Sequence, residues 1–216
     1  MSDKRHTPDA LLLTGRQCPY CPAVLKALQS LEQKGEISRL NVVELEEHPE
    51  VAAEHGVRSV PWVRIGPFEL GGLRSEEELL EWAGKAGSTA GMSMYLSELI
   101  ASGNIDKCLG LIRADNHQLD AVLRLFKDTD TELNIRSGIS AIMESLQGGP
   151  ELAGIADELR LLLTHDAPSV RGDACHYLSL TGHEDAAESI QPLLNDSDEN
   201  VRQIARDCLD ELAPGN

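Results

Sequence analysis

The chain has 216 residues, 41% of them hydrophobic and 3% aromatic, so it can bury one large core or two small ones, and those cores must be aliphatic. A formal net charge of −17 excludes the basic stripes that grip phosphate backbones, so neither nucleic acid nor an anionic membrane is an expected partner. No run approaches the roughly 20 apolar residues of a membrane helix, and the polar opening MSDKRHTPDA has no secretory apolar stretch, which reads as a cytoplasmic protein.

In chain order, Ala10-Leu11-Leu12-Leu13-Thr14 reads as a short buried strand and Gly15-Arg16-Gln17 as the turn after it. Cys18-Pro19-Tyr20-Cys21 follows, then a run with Val24, Leu25, Leu28 and Leu31 at helical spacing to about Lys34. Ile37 to Leu45 reads as a second strand with Leu40, Val42 and Val43 as its apolar content, and Glu50 to His55 as a short helix ended by Gly56. Val57 to Ile65 supplies a turn and a third strand; Gly66-Pro67 turns the chain into a fourth, Phe68-Glu69-Leu70, closed by Gly71-Gly72. Ser75 before Glu76, Glu77 and Glu78 reads as an N-cap with a charged first turn, opening a helix that carries Leu79, Leu80 and Trp82 to about Ala86. The small, Gly-rich stretch GKAGSTAG, Gly84 to Gly91, reads as a linker between a domain at 1–87 and another at 88–216. The acidity is uneven across that boundary: ten basic and fourteen acidic residues up to Gly87, nine and twenty-two beyond it. Acidic helix faces keep an array of helices soluble, and they suit a basic protein partner.

Two thiols separated by two residues, where a strand gives way to a helix, form a local disulfide or share one low-pKa thiolate beside the helix N-terminus. A CxxC in this setting reads as a thiol–disulfide exchange site. Cys18, at the exposed helix end, is the expected attacking thiolate; Cys21, one turn in, is the expected resolving thiol; Pro19 and Tyr20 tune the couple. Half of a zinc site is the alternative, but no second CxxC is present and no metal is expected.

The order βαβ then αββα, with Cys-Pro-Tyr-Cys, Ser59-Val60-Pro61 and Gly71-Gly72 in sequence, resembles the thioredoxin fold in its compact glutaredoxin-like form over residues 9 to 86. Cys18-Pro19-Tyr20-Cys21-Pro22 is similar to the active site of protein disulfide oxidoreductases. The resemblance implies that Pro61 is a cis proline beside the CxxC, completing the catalytic set with Cys18 and Cys21. It also implies that Val60 offers its backbone to an extended client peptide. Arg16, Ser59, Val60, Gly71 and Gly72 are the implied substrate-binding positions. Where glutaredoxins hold glutathione with polar and acidic residues after the glycine pair, this chain has Leu73 and Arg74.

Beyond the linker the pattern is helical and repeats. Ile135-Arg136, Val170-Arg171 and Val201-Arg202 each open a helix with matching apolar steps: Ile139 and Met143, Ala174 and Leu178, Ala205 and Leu209. Shorter apolar helices precede them, Leu119 to Phe126, Leu159 to Leu163 and Ile190 to Leu194, each ending near Asp128, Asp166 or Asp196. This resembles HEAT-like repeats of the phycobilisome-lyase type, preceded by two helices around Met92 to Ala101 and Ile105 to Ile112. The fold expectation is therefore an α/β thioredoxin-like domain followed by an all-α HEAT-repeat solenoid, which must stack to bury its apolar faces. The resemblance implies that Arg171 and Arg202 brace acidic turns of neighbouring repeats.

Cys108 and Cys208 fall among apolar residues and read as core thiols, while Cys175, one residue past Ala174, reads as partly exposed and as the one further redox candidate. His165, His176 and His183 show no metal-ligand spacing. The expected function is a thiol–disulfide oxidoreductase acting on protein clients, with the Cys18/Cys21 disulfide as its redox centre and no cofactor expected, the repeats as an interaction module, and a thioredoxin reductase-like or glutathione system upstream. The alternatives are a scaffold whose binding is switched by the CxxC, and a glutathione-linked glutaredoxin.

Overall fold

The computed structural model describes residues 7–213; the first six residues of the polar opening and the last three of the chain lie outside the described residues. The chain divides into two compact units, residues 1–92 and 93–216.

The first unit is a four-stranded mixed sheet with helices. Strand β1 (Ala10–Thr14) leads into helix α1 (Cys21–Gln33), β2 (Leu40–Glu44), α2 (Pro49–Glu54), β3 (Trp62–Ile65), β4 (Phe68–Gly71) and α3 (Glu76–Lys85). Strand order is β2-β1-β3-β4, with β1 parallel to β2 and the other pairs antiparallel. A β1-α1-β2 crossover joining parallel strands, followed by the β3-β4 hairpin, is the thioredoxin-like arrangement expected from the sequence. Leu12, Leu13, Val63 and Ile65 of the two central strands are fully buried, Leu12, Val63 and Ile65 on one face of the sheet and Leu13 on the other with Leu11 and Trp62, and α1 buries Val24, Leu28 and Leu31. Phe68 and Trp82 stack at a tilt, 4.8 Å between centroids, against the far end of the sheet.

Strand β2 is shorter and wetter than its sequence suggests. It starts at Leu40, not Ile37, and Val42 is 41% exposed. An edge strand has one neighbour, so its apolar side chains gain less cover than those of a central strand. Ile37 is buried in the approach to the strand.

The supposed linker is also different. Gly84 and Lys85 complete α3, and helix α4 (Thr89–Ala101) begins three residues after Ala86. Only Ala86, Gly87 and Ser88 lie between the helices. At Gly91 an added Cβ would collide with the Lys85 carbonyl, so this glycine serves close approach rather than freedom.

The second unit is all helix among the described residues. After α4 come α5 (Ile105–Ala114), α6 (Gln118–Lys127), α7 (Leu133–Ser145), α8 (Pro150–Ala153), α9 (Ala156–Leu162), α10 (Pro168–Leu180), α11 (Ala186–Ile190), a 3-10 turn at Gln191–Asn195, and α12 (Glu199–Leu212). Pro168 opens α10, where a missing N–H costs nothing. Asp198 caps α12, accepting from the N–H groups of Asn200 and Val201.

The second helix of each pair carries an arginine that braces the turn before it, and for Arg202, expected to brace a neighbouring repeat, this is the only bracing contact seen among the described residues. Arg136, Arg171 and Arg202 donate to carbonyls of the turn before their own helix: Phe126 and Asp128, His165 and Asp166, Asp196 and Ser197. Arg136 also reaches Asp173 at 2.9 Å, and Arg171 grips both carboxylate oxygens of Asp196 at 2.7 and 2.6 Å. Both arginines thus tie their helix to the following pair. Arg171 and Asp196 side chains are only 11% and 8% exposed, so this bidentate pair is largely shielded from water.

Candidate active site

Strand β1 runs through the centre of the sheet and delivers the chain to the CxxC at its C-terminal end. The Cys18 N–H donates to the Gly15 carbonyl at 3.1 Å, closing the turn, and α1 starts at Cys21 with Pro22 at its second position. Cys18 and Cys21 are joined as a disulfide, their Cα atoms 5.5 Å apart. The two sulfurs differ in access. Cys21 is 3% exposed and packed into the sheet core, whereas Cys18 is half-buried between exposed Gln17 and Pro19. Tyr20 stands 54% exposed beside them.

The Cys21 N–H donates to Cys18 Sγ at 3.1 Å. A donor aimed at that sulfur, together with the positive end of α1, favours a thiolate on Cys18 once the disulfide opens.

The pairing register brings the other sequence motifs towards the same end of the sheet. Leu13 lies opposite Trp62, which continues the register to place Thr14 opposite Pro61. The Val60–Pro61 peptide is cis. Trp62 pairs with Gly71, and the Gly72 N–H donates to the Pro61 carbonyl at 2.9 Å, so the glycine pair lies against the proline turn. Gly72 has φ +80°, a region that a side chain disfavours. A Cβ on Gly15 would stand 3.3 Å from Val60 Cγ2 and 3.4 Å from Glu46 Oε1; glycine lets the CxxC loop close onto the Val60 turn. Ser59 is exposed and Val60 half-buried against Leu11, Leu13 and Trp62.

Arg16 is already occupied. Its N–H donates to Glu46 at 2.9 Å, and its guanidinium contacts Glu44 at 3.2 Å and Glu47 at 3.0 Å. The Glu44 hydrogen bond, above all, holds the guanidinium proton even more firmly than usual. Arg16 therefore clamps the loop before Cys18 to the acidic stretch after β2. Glu44, Glu46 and Glu47 stand 28, 30 and 31 residues on from Arg16, and the parallel pairing of β1 with β2 brings them beside it. The stack of His55 on Trp62, 5.2 Å between centroids, was not anticipated.

Leu73 and Arg74 border a groove of about 560 Å³ whose other wall is α1 at Ala23 and Ala27. Leu73 is 55% exposed, while Arg74 is drawn back onto the Gly71 carbonyl and Glu78, each at 3.3 Å.

In the helical unit the cysteines depart from expectation at one place. Cys108 and Cys208 are buried as read, but Cys175 is fully buried as well, not partly exposed. Its neighbour across the helix interface is Cys208, which a reading of α10 alone does not supply. Burial pushes the Cys108 thiol up to about 11. His165 caps its own turn, accepting from the Ala167 N–H, and His183 meets Arg160 at 2.8 Å. Among the described residues no group of three or more His, Cys, Asp or Glu is placed to hold a metal. No described helix is long and apolar enough to cross a membrane.

A family model described as a thioredoxin domain matches residues 11–84, the stretch from β1 to the end of α3. No curated protein matches the chain. The thioredoxin-like unit with its Cys18–Cys21 pair at disulfide distance supports a redox role.

Proposed function

We propose that the chain is a dithiol–disulfide oxidoreductase acting on protein clients in the cytoplasm, through Cys18 and Cys21. The observation that carries this reading is the unequal environment of the two sulfurs, with the accessible one accepting the Cys21 N–H at 3.1 Å. In the reducing direction the Cys18 thiolate attacks one sulfur of a client disulfide, expelling the other as a client thiolate and leaving a mixed disulfide. The Cys21 thiol loses its proton to the medium and attacks Cys18 Sγ. The Cys18–Cys21 disulfide forms and the second client thiolate departs; it and the first take up protons. An upstream reductant, a thioredoxin reductase-like dithiol or two molecules of glutathione, returns the pair to its reduced form. Run in reverse, the same exchange oxidises a client.

Pro61, Val60 and Ser59, in the turn before β3, and Gly71-Gly72 at the end of β4 are read as the client-docking rim. Val60 offers its backbone to an extended client segment, as one strand pairs with another. Pro19 and Tyr20 tune the thiolate. Arg16 takes part by fixing the loop before Cys18. We read the helix pairs of residues 93–216 as HEAT-like repeats that select clients, with the recurring arginine braces as the supporting feature. Their acidic composition suits clients with basic surfaces.

The test is a trap. In Cys21→Ser, Cys18 can attack but its mixed disulfide is not resolved, so partners stay linked and mass spectrometry identifies them. A restricted set of proteins carrying accessible disulfides is the expected result. Capture of glutathione alone would replace this reading with the glutaredoxin one, and absence of both adduct and turnover would overturn it.

A further inference from the structure

Helices α10 and α12 lie side by side and run in the same direction. Arg171 meets Asp196 near the start of both, the site of Gly172 faces Ile204 and Val201, and Cys175 with His176 meets Cys208 further along. The approach is close because small residues line it. A Cβ on Gly172 would stand 2.9 Å from Ile204 Cδ1, and Ala174 and Ala205 are fully buried.

A close backbone approach, with a cysteine buried on each helix, is what a disulfide between helices requires. Cys175 is 0% and Cys208 3% exposed, and the two thiols interact. The next residue, His176, lies beside Cys208 and, at 3.7 Å, beside Glu144 of α7. Its side chain is 37% exposed, so it links the buried sulfur to solvent. Ser179 stands near Cys208 too, but its single O–H is donated to the His176 carbonyl at 2.7 Å. The Cys175 S–H and the His176 ring are therefore the donors that favour charge on Cys208. They hold the Cys208 thiol below its ordinary range, while the same contact pushes Cys175 above it. Partnership with Cys208, more than any other group, makes His176 readier to hold its proton.

Cys108 supplies the contrast inside the same unit. It is fully buried with no second sulfur or histidine acting on it, and its thiol is raised. Such a thiol behaves as a small hydrophobe.

We propose that Cys175 and Cys208 are a second redox-active thiol pair, oxidised by hydrogen peroxide to a disulfide that fastens α10 to α12. The Cys208 thiolate attacks one peroxide oxygen, the O–O bond breaks, and hydroxide leaves with the electron pair; Cys208 becomes a sulfenic acid. The Cys175 sulfur then attacks Cys208 Sγ, the S–O bond breaks, and hydroxide leaves. It takes up the proton that Cys175 loses, so one peroxide and two thiols give one disulfide and two waters. Peroxide is the co-reactant because it is close to water in size and can follow the His176 side into the interface. This pair is independent of the Cys18–Cys21 reading.

Reduced full-length protein is exposed to hydrogen peroxide, alkylated while still folded, digested without reductant and mapped by mass spectrometry. The expected product is a Cys175–Cys208 cross-linked peptide two hydrogens lighter than its parts, with Cys108 unmodified. In Cys175→Ser the cross-link is lost and a dimedone-reactive sulfenic acid is found on Cys208; in Cys208→Ser neither cross-link nor label is found. If the native protein keeps Cys175 and Cys208 as free thiols under exposure that fully oxidises Cys18 and Cys21, the proposal fails. It fails equally if Cys108 is oxidised to the same extent, or if the cross-link forms only after denaturation. The wild-type map needs no variant, so a poorly folded mutant does not remove the test.

Discussion

In residues 1–92 two cysteines lie three positions apart at the mouth of a helix; in residues 93–216 two others come from different helices and meet in mid-interface. The first pair owes its chemistry to local backbone: a strand end, a tight turn and a helix start put one sulfur at the surface and one in the core. The second owes everything to packing register, since α10 and α12 could slide past one another and part the sulfurs. The same divide runs through the scaffolds. The sheet unit is joined by strand ladders, and the helical unit by apolar faces pinned with arginine braces.

The largest test of this contrast is at the first pair. Cys18→Ser should lower disulfide reduction at least about a thousandfold, towards the uncatalysed rate, measured by turnover of a model protein disulfide. Cys108→Ser, in the helical core, should leave that rate within about twofold. A comparable loss from both would mean that the two regions do not separate function as described.

The second test breaks a brace. Removing the guanidinium in Arg171→Ala leaves Asp196 shielded with only the Asp198 N–H and Ser197 as partners, a loss of about 3 kcal/mol for the helical unit. Chain composition gives a clean way to see it. Both tryptophans, Trp62 and Trp82, lie in the redox unit, so tryptophan fluorescence follows that unit while far-ultraviolet circular dichroism is weighted to the helices. Arg171→Ala should advance the dichroism transition in urea and leave the fluorescence transition in place. Coincident shifts would show one cooperative molecule instead of two units.

The same pair sets an acid limit. The Arg171 guanidinium holds the Asp196 carboxyl down at about 2, against an ordinary 3.8. A folded pKa below the unfolded one contributes stability that is complete above roughly pH 5. It is lost as pH falls through 3.8 towards 2. The contribution is roughly 2 kcal/mol, and it should vanish from the pH profile of Arg171→Ala.

Two glycines then divide by sign. A Cβ on Gly138 would run into the Ile100 methyl, and branched Ile100 is itself buried, so Gly138→Ala should cost about 1–3 kcal/mol. Gly110, exposed in the middle of α5, has nothing within 4 Å of the same position. Gly110→Ala should stabilise by about 0.5–1 kcal/mol. Urea midpoints by dichroism read both.

What the sequence revealed followed the same division. The CxxC at a strand-to-helix junction, Pro61 before β3 and Gly72 after β4 are local patterns, and each occupies the place its neighbours imply. Ser75 was legible for the same reason, since a cap acts within one turn, whereas the Arg171 brace followed from the resemblance of its repeat. Burial was less legible. Val42 looks like any apolar strand residue until β2 proves to be an edge, and Gly91 looks like a linker glycine until Lys85 is found against it. Cys175 was misplaced because one residue past a core position is still inside when a neighbouring helix comes close enough. That closeness comes from Gly172 and Ala205, one on each helix, and no single segment records it.

The last expected effect is at the N-terminus of α3. Ser75 Oγ accepts from the Glu78 N–H at 3.2 Å, and Glu78 accepts from the Ser75 N–H at 2.8 Å, a reciprocal pair that satisfies two backbone donors. The backbone hydrogen bond from Ser75 is the chief reason that the Glu78 carboxyl is held below its usual range. Ser75→Ala removes the first bond, but the freed N–H is near solvent, so water replaces part of what is lost. The cost should be about 1 kcal/mol, visible in the fluorescence transition through Trp82 of the same helix and absent from the dichroism of α5 to α12. Ser75→Asp restores an acceptor at the cap and should recover most of it. If Ser75→Ala instead moved the helical transition, α3 would have to draw stability from the second unit, and the comparison drawn between the two regions would give way at that point.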